Sequence, residues 1–211
     1  MIWIKLSYDK EPYFTLQKND LSQGQKMALW VCFNLHFKKD SSMPALQWTD
    51  TFALGLPMMD ETHHEFVDLL AKVVNASDDT LLPLWRELVA HTDDHFARED
   101  RWMQSTGFSS SNCHSSQHRV VLEVMREGDK RGSAGELAVV RQMADELGTR
   151  FPMHAQAMDA ALALHLRNVG YDPVTDQVNM PQALPTEAIH GCGGASCSTD
   201  QEVTQESAVP A

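Results

Sequence analysis

Ten histidines occur among the 211 residues, and several stand four positions from another histidine or a carboxylate. His95 and Glu99 form one such pair, His114 and His118 a second, and His91 with His95 a third. His154 is followed five residues on by Asp159, and His63 stands alone further upstream. In an α-helix, residues four apart share a face and lie about 6 Å from one another along the axis, so two such side chains can grip one metal ion or two adjacent ones. A lone pair of this kind is commonly just a solvated helix face. The combination says more. Five histidines and two carboxylates are too many ligands for one zinc ion, and no cysteine belongs to the set. Imidazole with carboxylate suits iron, and a carboxylate inside a helical bundle can bridge two ions. The chemistry these residues suggest is a dinuclear iron site.

Such a site needs helices to carry it. Phe66, Leu69, Leu70, Val73 and Val74 recur at helical spacing, which predicts a first helix over about 60–74. A break at Asn75-Ala-Ser-Asp-Asp follows, with Asp78 or Asp79 as the expected cap of a second helix over about 81–105, where Pro83 falls in the first turn. A third helix is expected over about 113–127, ended by the glycines between Gly128 and Gly135. A fourth is expected over about 136–168, with a kink at Pro152 and a stop at Gly170 and Pro173. Nothing in 43–170 alternates as a strand would. The expected fold is all-α, an up-down-up-down four-helix bundle with the metal site in its core. Each of the four helices then supplies at least one ligand.

Composition narrows the rest. Acidic residues outnumber basic ones 29 to 17, a formal net charge of −12, so nucleic acid and anionic membrane surfaces are not expected partners. The most apolar run, Met27 to Phe37, is too short for a membrane span and contains Asn34 and His36. Residues 1–42 carry six lysines against four acidic residues and lack a sustained period. They read as an N-terminal extension, with the bundle at 43–170 and a flexible tail rich in Pro, Gly, Ser and Thr over 171–211. A packing element built on Trp30 and Phe33 is the rival reading of the extension. Four scattered cysteines do not form a disulfide framework, and a reducing cytoplasm is the expected compartment.

At this point the sequence resembles a known family. Asp60-Glu-Thr-His63, His95-Phe-Ala-Arg-Glu99, His114-Ser-Ser-Gln-His118 and His154 with Asp159 are similar, in order, to the ligand signature of the hemerythrins. The likeness spans about residues 46–168 and is greatest to the single-domain bacterial members, the bacteriohemerythrins. It implies two non-heme iron ions (Fe2+/Fe3+), oxo- or hydroxo-bridged, with O2 as ligand. His114, His118 and His154 would hold one ion and His63 and His95 the other, with Glu99 and Asp159 bridging. It implies a non-enzymatic protein that binds O2 reversibly for transport, storage or sensing. A monomer is expected, and with no attached signalling domain visible in the sequence, any signalling partner is expected to be a separate protein. A diiron oxidase or peroxidase is the alternative. Oxidases of this architecture favour Glu-rich sites, which this His-rich set is not.

Other residues receive plainer expectations. Phe66, Phe151 and Ala155 lie within a turn of ligands and are candidates for an apolar pocket. Asp100, next to Glu99, is expected on the surface, as is His64. His91 is expected behind the ligands or at a bundle end, His165 as structural and Cys113 as a small buried residue. Three glycines (Gly128, Gly132 and Gly135) are expected to absorb extra length between His118 and His154. Cys192 and Cys197, near His190, could bind a soft metal or pair reversibly.

Overall fold

The computed structural model describes residues 45–108, 113–187 and 189. The N-terminal extension, Trp30 and Phe33, and the cysteines at 192 and 197 lie outside them. Among the described residues there are four helical rods: α1 (Pro57–Val74), α2 (Asp78–Ser105), α3 (Cys113–Ser133), and a fourth built from α4 (Leu137–His154), a π-helical turn (Ala155–Asp159) and α5 (Ala160–Asn168). Each helix packs on the next, and α4 returns to α1, which closes an all-α up-down-up-down bundle. No helix among the described residues is long and apolar enough to cross a membrane.

Local chemistry sets the ends of these helices. Pro57 occupies the first turn of α1, where its missing N–H costs nothing. The Asp60 carboxylate accepts hydrogen bonds from the backbone N–H groups of Leu54 (2.6 Å) and Gly55 (3.0 Å), tying the incoming chain to the first turn. For α2 the expected cap shifts. Ser77 is the boundary residue, Asp78 and Asp79 fall inside the first turn, where acidic charge suits the helix dipole, and Pro83 sits in the second turn.

The third helix corrects the expectation of a break at Gly128. It runs on through Gly128 and Gly132 to Ser133, so the connection to α4 is short and the extra length between His118 and His154 lies in helix. Here glycine is an interface residue. A Cβ at Gly128 would meet the Met143 sulfur at 2.7 Å and the Trp85 ring at 3.0 Å, and one at Gly132 would collide with Leu82 and Val140. The two glycines let α2, α3 and α4 approach closely, and the Trp85 indole N–H donates to the Met125 carbonyl at 3.0 Å across the same contact. The stop comes at Gly135, in the left-handed region at φ 94°. There Glu136 N–H donates to Arg131 C=O and Gly135 N–H to Gly132 C=O, the paired bonds that close a helix at glycine.

The segment after α5 also departs from expectation. Residues 171–187 and 189 are not a free tail. β1 (Tyr171–Asp172) and β2 (Gln177–Val178) pair antiparallel, a 3₁₀ turn follows at Pro181–Ala183, and Ile189 N–H donates to Gly107 C=O at 3.0 Å. Tyr171 is buried in a cluster with Leu56, Met59, Trp102, Met103, Phe108, Leu162 and Leu166, with Val178, Leu184 and Ile189 packed against it. A segment too polar to build its own core thus closes one end of the bundle by adding a few apolar side chains to a core that already exists.

Candidate metal centre

The seven sequence-predicted ligand positions meet in one layer of the bundle. His63 comes from α1, His95 and Glu99 from α2, His114 and His118 from α3, His154 from the end of α4 and Asp159 from the π turn. Six are buried and His154 is half-buried. Helical spacing of four brings His95 to Glu99 (3.7 Å) and sets His114 and His118 on one face, with ring centroids 4.4 Å apart.

His154 and Asp159 need another device. In an α-helix five residues turn about 500°, which would leave the two about 140° apart around the axis. The π turn removes most of that offset. Ala160 N–H donates to Ala155 C=O, five residues back, and Asp159 Oδ1 lies 3.1 Å from His154 Nε2. Pro152 brings no N–H to the preceding turn, yet the helix continues through it. The departure from α-helical geometry lies just beyond it, as a local widening of the helix between His154 and Asp159.

The two carboxylates divide the layer. Asp159 Oδ2 faces His63 Nε2 at 3.1 Å, while Oδ1 faces His114 Nε2 at 3.0 Å and His154. Glu99 Oε1 faces His95, while Oε2 faces His114 Nε2 and His118 Nε2, both at 3.3 Å. Two groups result, each with ligand atoms within 4.8 Å of one another: His114, His118 and His154 with both carboxylates, and His63 and His95 with the same two. Each carboxylate offers one oxygen to each group.

A positively charged occupant fits this arrangement. Both oxygens of Glu99 and of Asp159, and the Nε2 atoms of His63, His114, His118 and His154, are buried without a hydrogen-bond partner. Buried polar groups are normally satisfied, and two buried carboxylates side by side require compensating charge. In the metal-free protein protons supply some of it. Burial works against a charged His114, but Asp159 and Glu99 outweigh burial and hold it up at about 10. His63 is raised through the same contest, and His118 is raised because Asp100 and Glu99 outweigh its burial. Burial and their mutual repulsion push Glu99 and Asp159 up, but the surrounding imidazoles prevail and hold both down. His95 stands further from its carboxylate, so burial dominates and lowers it to about 4.

Aromatic rings line the layer. The Phe151 ring stands edge-on to His63 at 5.3 Å, stacks on Phe66 at 5.1 Å and meets Phe52 at 5.6 Å. Phe66, Phe151 and Ala155 are all buried, Ala155 completely. Sequence reasoning missed Phe96, stacked on His118 at 3.9 Å, and placed Asp100 on the surface, where it is partly exposed, without its partner. Asp100 Oδ1 lies 3.1 Å from His118 Nδ1. The signal was present: Phe96 and Asp100 stand four apart, beside His95 and Glu99. The remaining histidines among the described residues are not in the layer. His64 is exposed beside Asp68, His91 pairs with Glu65 at 3.1 Å, and His165 lies 3.0 Å from the Thr106 carbonyl. Cys113 is only half-buried.

Comparison with known proteins accords with this geometry. The family model of the hemerythrin HHE cation binding domain matches residues 54–166. A bacteriohemerythrin of Ralstonia nicotianae is 34% identical over 130 residues, covering 62% of this chain and 95% of that protein. Bacteriohemerythrins of Pseudomonas aeruginosa (28% identical, 44% of this chain and 64% of that protein) and Stenotrophomonas maltophilia (27%, 51% and 69%) are similar over shorter stretches. No solved structure matches the chain at a significant level. The chain belongs to the hemerythrin family, whose members are oxygen-binding proteins with non-heme iron rather than enzymes.

Proposed function

We propose that this protein holds two non-heme iron ions and binds O2 reversibly, for transport, storage or sensing. The observation that carries the reading is the division of Glu99 and Asp159, each of which turns one oxygen toward the three-histidine group and the other toward the two-histidine group. Two carboxylates set this way can bridge two ions, and the imidazoles then complete each side. All seven side chains come from one chain, so a monomer suffices for the site. When bound, the iron pair supplies the electrons that let O2 bind and leave.

The protein's residues do the rest. The two-histidine group has one imidazole fewer than its neighbour, which leaves room for a small exogenous ligand on that side. Phe151, backed by Phe66 and Phe52, covers His63 and keeps water from that side. A dry, apolar flank disfavours the charged species whose escape would end reversible binding. Few anionic ligands are present to stabilise strongly oxidised iron, which favours binding over consumption of O2.

The test is the visible spectrum of anaerobic, ferrous-loaded protein before O2, after O2 and after degassing. A band that appears with O2 and leaves on degassing is expected. Direct passage to a stable ferric spectrum with net O2 consumption would overturn reversible binding, and failure to hold iron would overturn the metal centre.

A further inference from the structure

We propose that Asp100 is a positioning residue: through His118 it strengthens metal binding at the three-histidine group. The inference rests on the reading of the layer as a metal centre and adds to the asymmetry that the unequal number of imidazoles already gives.

The asymmetry is visible on the imidazoles. The Nδ1 atoms of His63 and His114 are buried without a partner. His118 differs. Its Nδ1 lies 3.1 Å from Asp100 Oδ1, so the Nδ1–H donates to the carboxylate, and Nε2, which faces Glu99 Oε2 at 3.3 Å, is the nitrogen available to a metal ion. The ring plane is fixed as well, because Phe96 stacks on it at 3.9 Å with an interplanar angle of 7°. Phe96 and Asp100 stand one turn apart on α2, so a single helix face holds His118 from its flat side and from its far nitrogen. A carboxylate on the far nitrogen of a ligand imidazole fixes the tautomer and makes the metal-facing nitrogen a stronger donor. Asp100 is 40% exposed, so it does this from the rim of the layer rather than from inside it.

The experiment uses the full chain, stripped of metal and titrated anaerobically with Co2+, with wild type, D100N and D100E compared and D68N as an exposed control. Loss of such a partner weakens metal binding about 10–100-fold. We expect D100N to weaken the tighter Co2+ site by that factor and the looser site much less, with D100E recovering part of the loss and D68N unchanged. In the iron-loaded protein D100N should raise the ferric/ferrous midpoint potential, a shift that mere loss of packing would not produce. Wild type loaded with Co2+ should also show a slowly exchanging, hyperfine-shifted imidazole N–H proton, a readout independent of how any variant folds. Equal affinities and potentials in wild type and D100N, or no protected N–H in wild type, would overturn the role of Asp100 while leaving the metal centre standing. A wild type that takes up neither Co2+ nor iron would overturn the metal centre itself.

Discussion

Asp159 and Leu162 stand three residues apart on one helical rod, and both are fully buried. Around Leu162 lie Met59, Trp102, Met103, Phe108 and Tyr171, an apolar cluster whose burial stabilises the fold directly. Around Asp159 lie buried polar atoms, many without a hydrogen-bond partner, in a layer that would cost free energy if it stayed empty of charge. Equal burial therefore means opposite things within one turn of helix. The closed end holds the bundle together, and that surplus allows the neighbouring layer to be arranged for a ligand instead of for stability.

Substitutions can break this contrast from either side. The largest effect is expected for Glu99→Gln, which removes a charge shared by both groups: iron content should collapse, read as metal per chain, while far-UV circular dichroism stays helical. His118→Ala should likewise empty the three-histidine group and abolish the O2-dependent band. At the closed end the pattern should invert. Leu162→Ala should lower unfolding free energy by about 2–5 kcal/mol in denaturant titration, with iron content retained. A smaller effect distinguishes the polar layer by pH. His114 is held up at about 10, so metal must displace its proton at lower pH, and Co2+ affinity should rise about tenfold per pH unit from that proton alone. The same shift gives the metal-free fold a contribution that is complete below pH 6.5, the ordinary histidine value, and is lost as pH rises through about 10. Smallest is Tyr171→Phe, which removes the 2.7 Å hydrogen bond to Asp176 and should cost about 0.5–1.5 kcal/mol without changing metal binding.

The contrast also explains what could be read from the sequence. Period-four spacing is a helix property that survives folding, so the pairs on α2 and α3, the four helices and the family likeness were all legible. Glycine was ambiguous. At Gly128 and Gly132 the neighbouring rings and methyl groups decide for close packing, and those neighbours are distant in sequence. The segment that carries Tyr171, Val178, Leu184 and Ile189 was misread because these few apolar residues follow no period and gain their burial only from the bundle end. Asp100 was set aside because a carboxylate on a helix rim looks solvated until the facing helix brings His118 to it.

The π turn at Ala155–Asp159 links the two regions as a vernier links two scales. Everything before it is indexed to the ligands on α1, α2 and α3, and everything after it to the apolar closed end. Wound as an ordinary α-helix, the same residues would keep every ligand and every core side chain in the sequence. All that follows would nevertheless rotate by about 100° relative to all that precedes. Either Asp159 would leave the layer or Leu162 and Leu166 would leave the core. The one extra residue that the wider turn takes up thus sets the phase between binding and stability along this helix.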